Sequence, residues 1–167
     1  PPYGARTAVG ARGSVEDGVV YGHLTADDVH AFVASWTPRT RYWIVLFTDH
    51  ILFRAWEDAF AGAGWYTFAP VGWLKRGAPP RFAADGPASA LEWICVARPR
   101  RKPADSRSRP GVYEAECQRF GHGGGWRQGT KDVRALRQVV LDYSAPGEFV
   151  VDPFAGTATV GAACVQT

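Results

Sequence analysis

The sequence predicts a single α/β domain, with a mostly parallel sheet and helices on both of its faces. The chain has 167 residues, 46% of them hydrophobic and 21% charged, which suffices for one domain with its own core. Segments with helical spacing of apolar residues alternate with short, continuously apolar runs, as in buried parallel strands joined by helices. The last apolar run leads into a loop of small residues, which is typical of a tight βα connection.

The first half of the chain predicts two helices around one strand. Segment 25–36 begins with a capping pattern from Thr25 to Asp28 and continues with apolar residues at helical spacing. The run 42–47 is β-branched and aromatic, which favours a strand buried on both faces. Segment 51–60 carries one apolar stripe and is followed by glycines suited to a helix C-terminus.

The second half predicts strands, a long irregular segment and a final helix and strand. Strand-like runs occupy 65–74 and 91–99. From residue 98 to about residue 129, Pro, Gly, Ser and basic residues follow one another without a period, which predicts a loop or small insertion. Helical spacing returns in 130–144, and a short turn leads into a predicted strand at 149–151.

Positive charge is concentrated around the irregular segment. The formal net charge is +3, but residues 98–137 contain eleven Lys or Arg and four Asp or Glu, so this region is +7 and the rest of the chain −4. Such a cluster is consistent with a solvated linker and equally with a surface that binds a polyanion through phosphate contacts. Charge alone leaves both interpretations open.

The cysteines and the apolar runs exclude several classes of protein. Cys95, Cys117 and Cys164 are odd in number and widely spaced, which argues against a disulfide framework and against a zinc site, so no metal site is predicted. No apolar run approaches the roughly 18 residues of a membrane-spanning helix, and no secretion signal opens the sequence. The sequence therefore predicts a cytoplasmic protein.

Two short motifs lead to a more specific interpretation. The string DPFAGTAT, residues 152–159, places a carboxylate at a strand end before small residues, with Thr157 and Thr159 suited to cap the next helix. It resembles the S-adenosylmethionine-binding motif of amino-methylating DNA methyltransferases, Asp-Pro-Phe-x-Gly-Ser-Gly-Thr, with Thr157 in place of Ser and Ala158 in place of the second Gly. The chain opens with PPY, which looks like the family's catalytic Asp-Pro-Pro-Tyr motif without its first residue.

The resemblance implies a role for each residue of the catalytic motif. The exocyclic amine of a base is a poor nucleophile because its lone pair is delocalised into the ring. The acidic or polar side chain before Pro1, together with the carbonyl of Pro1, would accept hydrogen bonds from the amine, and the ring of Tyr3 would stack on a base flipped out of the duplex. Pro1, Pro2 and Tyr3 are therefore the predicted catalytic residues.

The order of the motifs resembles that of the circularly permuted class of these enzymes, whose Rossmann-like sheet carries the catalytic motif before the cofactor motif. On this resemblance, residues 1–97 form the catalytic-motif half of the domain. Residues 98–129 form a basic loop or short target-recognition segment, and residues 130–167 form the cofactor-binding helix and strand-loop. The family's remaining strands would follow, so we expect an incomplete sheet, truncated at both ends.

The resemblance also implies two sets of binding residues. The predicted cofactor contacts are Lys131 and the loop residues Asp152, Pro153, Phe154, Gly156, Thr157 and Thr159. Lys131 corresponds to a lysine on the family's cofactor-binding helix, where the usual following proline is Asp132 here. The predicted nucleic-acid contacts are the strand-end and basic residues Trp73, Lys75, Phe82, Arg100, Arg101, Lys102, Arg119 and Arg127, with Asp85 in the same strand-end segment. A buried Trp73 and a solvated Lys75 are the alternative, which is the commoner environment for these residue types.

Taken together, these features predict an S-adenosylmethionine-dependent methyltransferase that modifies the exocyclic amine of adenine in double-stranded DNA, as in restriction-modification systems. Methylation of the exocyclic amine of cytosine stays open, because the family distinguishes the two by the residue before Pro1. A noncatalytic nucleic-acid-binding remnant also stays open, since the basic segment could bind DNA without a cofactor. An RNA substrate is disfavoured by the motif order, and neither a partner nuclease nor an oligomeric state is identified.

Overall fold

The computed structural model describes residues 22–78, 80, 85–101, 107–116 and 130–167. Its helices in this part of the chain are α1 (Ala26–Trp36), α2 (Phe53–Gly62), α3 (Val133–Tyr143) and α4 (Thr159–Val165). Its strands are β1 (Ile44–Thr48), β2 (Trp65–Thr67), β3 (Val71–Arg76), β4 (Leu91–Pro99) and β5 (Val112–Glu116). The predicted site residues Pro1, Pro2, Tyr3, Phe82, Lys102, Arg119 and Arg127 lie outside the described residues.

The chain divides into two compact units. The first comprises Pro1–Val71 and Trp93–Ser108, and the second comprises Gly72–Glu92 and Arg109–Thr167. The division falls inside two strands, so that β4 begins in the second unit and continues in the first.

The first unit has β4 paired antiparallel to both β1 and β2, with helices α1 and α2 packed against each other. The α1 helix starts at a reciprocal capping box, in which Thr25 and Asp28 exchange hydrogen bonds as their spacing predicted. The core of the unit is aromatic, and its largest member, Trp56, has no exposed surface. The indole Nε1 of Trp56 donates to Thr48 Oγ1 at 3.1 Å, so the polar atom of this buried ring has a partner.

The second unit pairs β3 with β5 in parallel, with Gly72 opposite Val112 and Arg76 opposite Glu116. Helix α3 packs against β5 and against α4. The N-cap of α3, Asp132, also accepts a hydrogen bond from the backbone N–H of Glu116 at 3.2 Å, which ties the helix start to the end of β5. The same strand and helix are joined a second time by the hydroxyl of Tyr113, which donates to Asp142 Oδ2 at 2.7 Å.

The α/β class predicted from the sequence is confirmed, and the sheet is mixed. The sequence predicted mostly parallel pairing, whereas β4 is antiparallel to both β1 and β2, and β3 and β5 are parallel. The run 65–74 predicted one strand but forms β2 and the first part of β3, separated by residues 68–70. Pro70 explains the break, because a proline has no N–H to donate to a strand ladder.

The prediction of a strand at 149–151 is wrong, because these residues do not form a strand in the structure. Their side chains are exposed to 99% at Phe149, 43% at Val150 and 65% at Val151. A continuous apolar run forms a buried strand only where neighbouring strands supply hydrogen bonds and cover its faces, and no described residue pairs with this run. Within the described ranges, no helix has both the length and the apolarity needed to cross a membrane.

Candidate functional site

The loop at residues 152–158 is shaped by a hydrogen bond within its first three residues. Asp152 is half-buried, and its Oδ1 accepts from the backbone N–H of Phe154 at 2.9 Å, which is the geometry of an Asx turn. Residues 153–158 are exposed. The carboxylate therefore holds the turn, while the backbone that follows lies at the surface.

Two residues of this loop have left-handed backbone conformations. Gly156 has φ 53°, and Ala158 has φ 56° and ψ 27°. Ala158 is the one non-glycine residue with positive φ in the described part of the chain. An L-residue with a Cβ pays roughly 1–2 kcal/mol for this conformation. The bond from Ala158 N–H to the carbonyl of Ala155, 2.7 Å long, helps to hold the strained turn.

The loop runs directly into α4, which packs against α3. The predicted capping by Thr157 and Thr159 is wrong, because no side chain caps this helix. Instead, their two hydroxyl oxygens are 2.8 Å apart and hydrogen-bond to each other, with Thr159 buried. The Nε of Arg137 in α3 donates to the carbonyl of Gln166 at 2.7 Å, which ties the far end of α4 to α3.

Lys131 lies immediately before the N-cap of α3 and is held by a carboxylate that sequence reasoning missed. Its Nζ donates to Glu92 Oε2 at 2.6 Å, and Lys75 Nζ is 3.3 Å from the other oxygen, Oε1. All three side chains are only 19–25% exposed. The structure thus places two lysines predicted to bind different ligands on one glutamate. The sequence signal that could have indicated this contact was a charged residue, Glu92, near the start of the apolar run 91–99.

Asp132 explains how this chain begins α3 without the family's usual proline. Its Oδ1 accepts from the backbone N–H of Arg134 at 2.9 Å, which is an N-cap hydrogen bond, and the side chain is buried. Proline favours the first turn of a helix through its fixed φ, whereas Asp stabilises the same turn by accepting a hydrogen bond. The departure from the family motif therefore preserves the helix start directly after Lys131.

The predicted nucleic-acid contacts fall into buried and exposed groups. Trp73 is 1% exposed, which disfavours the prediction that it touches a base. Arg100, Arg101 and Asp85 are exposed. Arg98 donates from Nη1 to the carbonyls of Pro99 at 2.8 Å and of Arg100 at 3.2 Å, so it holds the turn that presents the exposed arginines.

The described cysteines are free thiols without a reactive environment. Burial, with a smaller effect of Glu57, raises the pKa of Cys95 to about 12. Burial and the nearby negative charge of Asp152 also raise the pKa of Cys164. Both groups are therefore neutral near pH 7. Among the residues that the structure describes, no three His, Cys, Asp or Glu side chains are grouped to hold a metal ion.

The structure places the protein in the class of methyltransferase folds. A crystal structure of the M1.HpyAVI–SAM complex matches with a TM-score of 0.68 and 18% sequence identity, covering 82% of this chain and 70% of that one. A second structure, of M1.HpyAVI, matches with a TM-score of 0.62 and 17% identity, covering 82% and 68%. At these identities the likeness establishes the fold alone.

Curated sequences narrow the likeness to Type II methyltransferases. The chain is 28% identical over 126 residues to M.Cfr9I of Citrobacter freundii, covering 66% of this chain and 41% of that protein. It is 30% identical over 124 residues to M.XycI of Xanthomonas campestris pv. cyanopsidis, covering 65% and 40%. The resemblance to DNA methyltransferases is confirmed, and the matched region spans about two fifths of each curated relative. No protein-family profile matches the chain.

Proposed function

We propose that this chain serves the transfer of a methyl group from S-adenosylmethionine to the exocyclic amine of adenine in double-stranded DNA. The observation that carries the proposal is the backbone of the 152–158 loop. Positive φ values occur at Gly156 and Ala158, which are the two positions that hold glycine in the family's cofactor motif. The loop therefore has the conformation for which the motif selects glycine, even where this sequence has alanine.

The residues of the loop fit the cofactor. Residues 155–158 are small and exposed, so a ligand can approach the loop backbone closely. Asp152, Pro153, Phe154, Gly156, Thr157 and Thr159 would line the cofactor, and the ammonium group of Lys131 would face its methionine end. When bound, S-adenosylmethionine supplies an electrophilic methyl sulfonium. The protein's contribution is to hold and orient it, through a loop fixed by Asp152 and mounted on α3 and α4.

The catalytic and DNA-binding parts of the proposal rest on the remaining predicted residues. On the family resemblance, the carbonyl of Pro1 accepts a hydrogen bond from the base amine, and Tyr3 stacks on the flipped base. The exposed Arg100 and Arg101 contact phosphates, together with Lys102, Arg119 and Arg127 of the basic segment. Residues 1–97 would then carry the catalytic motif, 98–129 the target contacts and 130–167 the cofactor site.

Methyl transfer from radiolabelled S-adenosylmethionine to unmethylated duplex DNA tests the proposal, followed by nucleoside analysis of the product. We expect labelled N6-methyladenine, and its loss in a Tyr3→Ala variant that still binds the cofactor. Tyr42→Ala is the matched control, since this tyrosine, whose ring lies against the Arg41 guanidinium, has no place in the proposed chemistry.

Two outcomes would change the assignment. Labelled N4-methylcytosine would show that the target base is cytosine. The reaction would still be methylation of an exocyclic amine. No label from folded protein that binds DNA with a steep salt dependence would contradict the enzyme proposal and leave a nucleic-acid-binding role.

A further inference from the structure

Glu92 joins two lysines whose proposed ligands differ. It contacts Lys131 at 2.6 Å through one carboxylate oxygen and Lys75 at 3.3 Å through the other. Because all three side chains are about four-fifths covered, solvent screens these contacts less than it screens a surface ion pair. The carboxylate is therefore a common anchor for Lys75 of β3 and Lys131 before α3.

The backbone around Glu92 is itself fixed. The N–H of Lys75 donates to the carbonyl of Ala90 at 2.7 Å, so β3 is hydrogen-bonded to the residue that precedes β4. Glu92 is the second residue of β4, so its backbone belongs to the strand. Lys131 is likewise held near a rigid point, because the next residue, Asp132, caps α3 and binds the end of β5.

A lysine side chain is long and flexible, and a partner of opposite charge restricts where its ammonium group lies. Removing the charge of Glu92 would leave two ammonium groups next to a neutral amide, where they repel each other and separate. Glu92 therefore helps to fix the position of the Lys131 ammonium group.

We propose that Glu92 is a positioning residue that holds the Lys131 ammonium where it meets the anionic end of the cofactor, with Lys75 fixing Glu92 from the other side. This inference rests on the proposed function, since it needs a cofactor with an anionic group at Lys131. It assigns to an acidic residue, outside both sequence motifs, control over cofactor affinity.

The test compares Glu92→Gln with wild type for S-adenosylmethionine binding by calorimetry and for the KM and kcat of methyl transfer. We expect Kd and KM to rise about tenfold, on the scale of one charge-assisted hydrogen bond, with kcat at saturating cofactor unchanged within about twofold. Glu114→Gln is the matched control. Glu114 is exposed and pairs with Arg76 within the same unit, so its loss should leave Kd unchanged.

A double-mutant cycle separates positioning from general destabilisation. If Glu92 acts through Lys131, introducing Glu92→Gln into a Lys131→Gln variant should raise the Kd of that variant by less than about twofold. Glu92→Asp keeps the charge with a shorter reach and should give an intermediate Kd. If Glu92→Gln does not fold, the Glu92→Asp variant provides the test. A wild-type Kd in Glu92→Asp would then overturn the inference.

The two proposals fail in different ways. Wild-type protein that binds no S-adenosylmethionine would remove the proposed function and this inference together. Wild-type binding and methyl transfer, with an unchanged Kd in Glu92→Gln or a full tenfold effect in the Lys131→Gln background, would overturn the inference alone.

Discussion

The two units of the chain are stabilised by different kinds of contact. In the first, a chain of ring contacts with centroids 5.5–6.2 Å apart joins Phe32, Trp56, Phe60 and Trp65 in the apolar core. In the second, hydrogen bonds and ion pairs on Asp132, Asp142 and Glu92 link the secondary-structure elements. Burial of apolar side chains has no preferred direction, and it can hold a scaffold. A site that must place charged groups and a strained loop needs directional contacts, namely hydrogen bonds and ion pairs.

Trp56→Ala should have the largest effect on stability. It removes the largest buried side chain of the first unit and leaves a cavity, so we expect the free energy of unfolding to fall by about 3–5 kcal/mol. Chemical denaturation followed by far-ultraviolet circular dichroism measures this loss. Ile51→Ala, at a position 43% exposed, is the control and should cost about 1 kcal/mol or less. Equal losses in the two variants would refute the picture of an aromatic core as the main support.

Tyr113→Phe tests the directional contacts of the second unit. It removes the hydroxyl that donates to Asp142, so unfolding should become easier by about 1–2 kcal/mol at pH 7. Burial, and next the hydrogen bond to Asp142, raise the pKa of Tyr113 far above its ordinary value. A raised pKa means that this stabilisation is complete below about pH 10, the unfolded value, and declines above it.

The advantage of wild type over Tyr113→Phe should accordingly stay constant from about pH 6 to 9 and shrink above about pH 10. Denaturation curves across this range measure the difference. Tyr66→Phe, at an exposed tyrosine of the first unit, is the control and should cost little at any pH. A Tyr113→Phe loss that grew with rising pH would contradict the assigned contact.

Ala158→Gly should have the smallest effect and the opposite sign. Glycine adopts the left-handed conformation without strain, so we expect the free energy of unfolding to rise by about 0.5–1 kcal/mol, the gain being partly offset by the flexibility of glycine in the unfolded chain. Ala155→Gly is the matched control in the same loop, at a residue without positive φ. It should not raise the free energy of unfolding. Destabilisation by Ala158→Gly would show that the loop is not strained at this residue.

Local signals in the sequence predicted most of the elements. The capping box at Thr25 and Asp28 located α1 within a residue or two, and apolar spacing located α2 and α3. The cofactor motif located a loop whose positive φ values fall at its two glycine positions. These features succeed because each depends on residues a few positions apart.

Features that depend on distant residues could not be predicted in this way. Whether a run of residues forms a strand, and whether that strand is parallel to its neighbours, depends on the strands beside it. For this reason the direction of strand pairing and the structure of residues 149–151 both differed from the prediction. Glu92 gained its role only when β4 brought it to lysines 17 and 39 positions away in sequence. For Trp73, in the apolar run 65–74, a buried ring was the commoner alternative to a base contact, and the ring is buried.

The exposed side chains of Phe149, Val150 and Val151 bear on how the protein behaves at high concentration. Adjacent hydrophobic groups on a surface attract one another between molecules, and a net charge of only +3 provides weak repulsion against that attraction. Added salt screens the repulsion and leaves the hydrophobic attraction in place. These three residues, next to the 152–158 loop, therefore favour association between molecules, and a higher ionic strength strengthens that tendency.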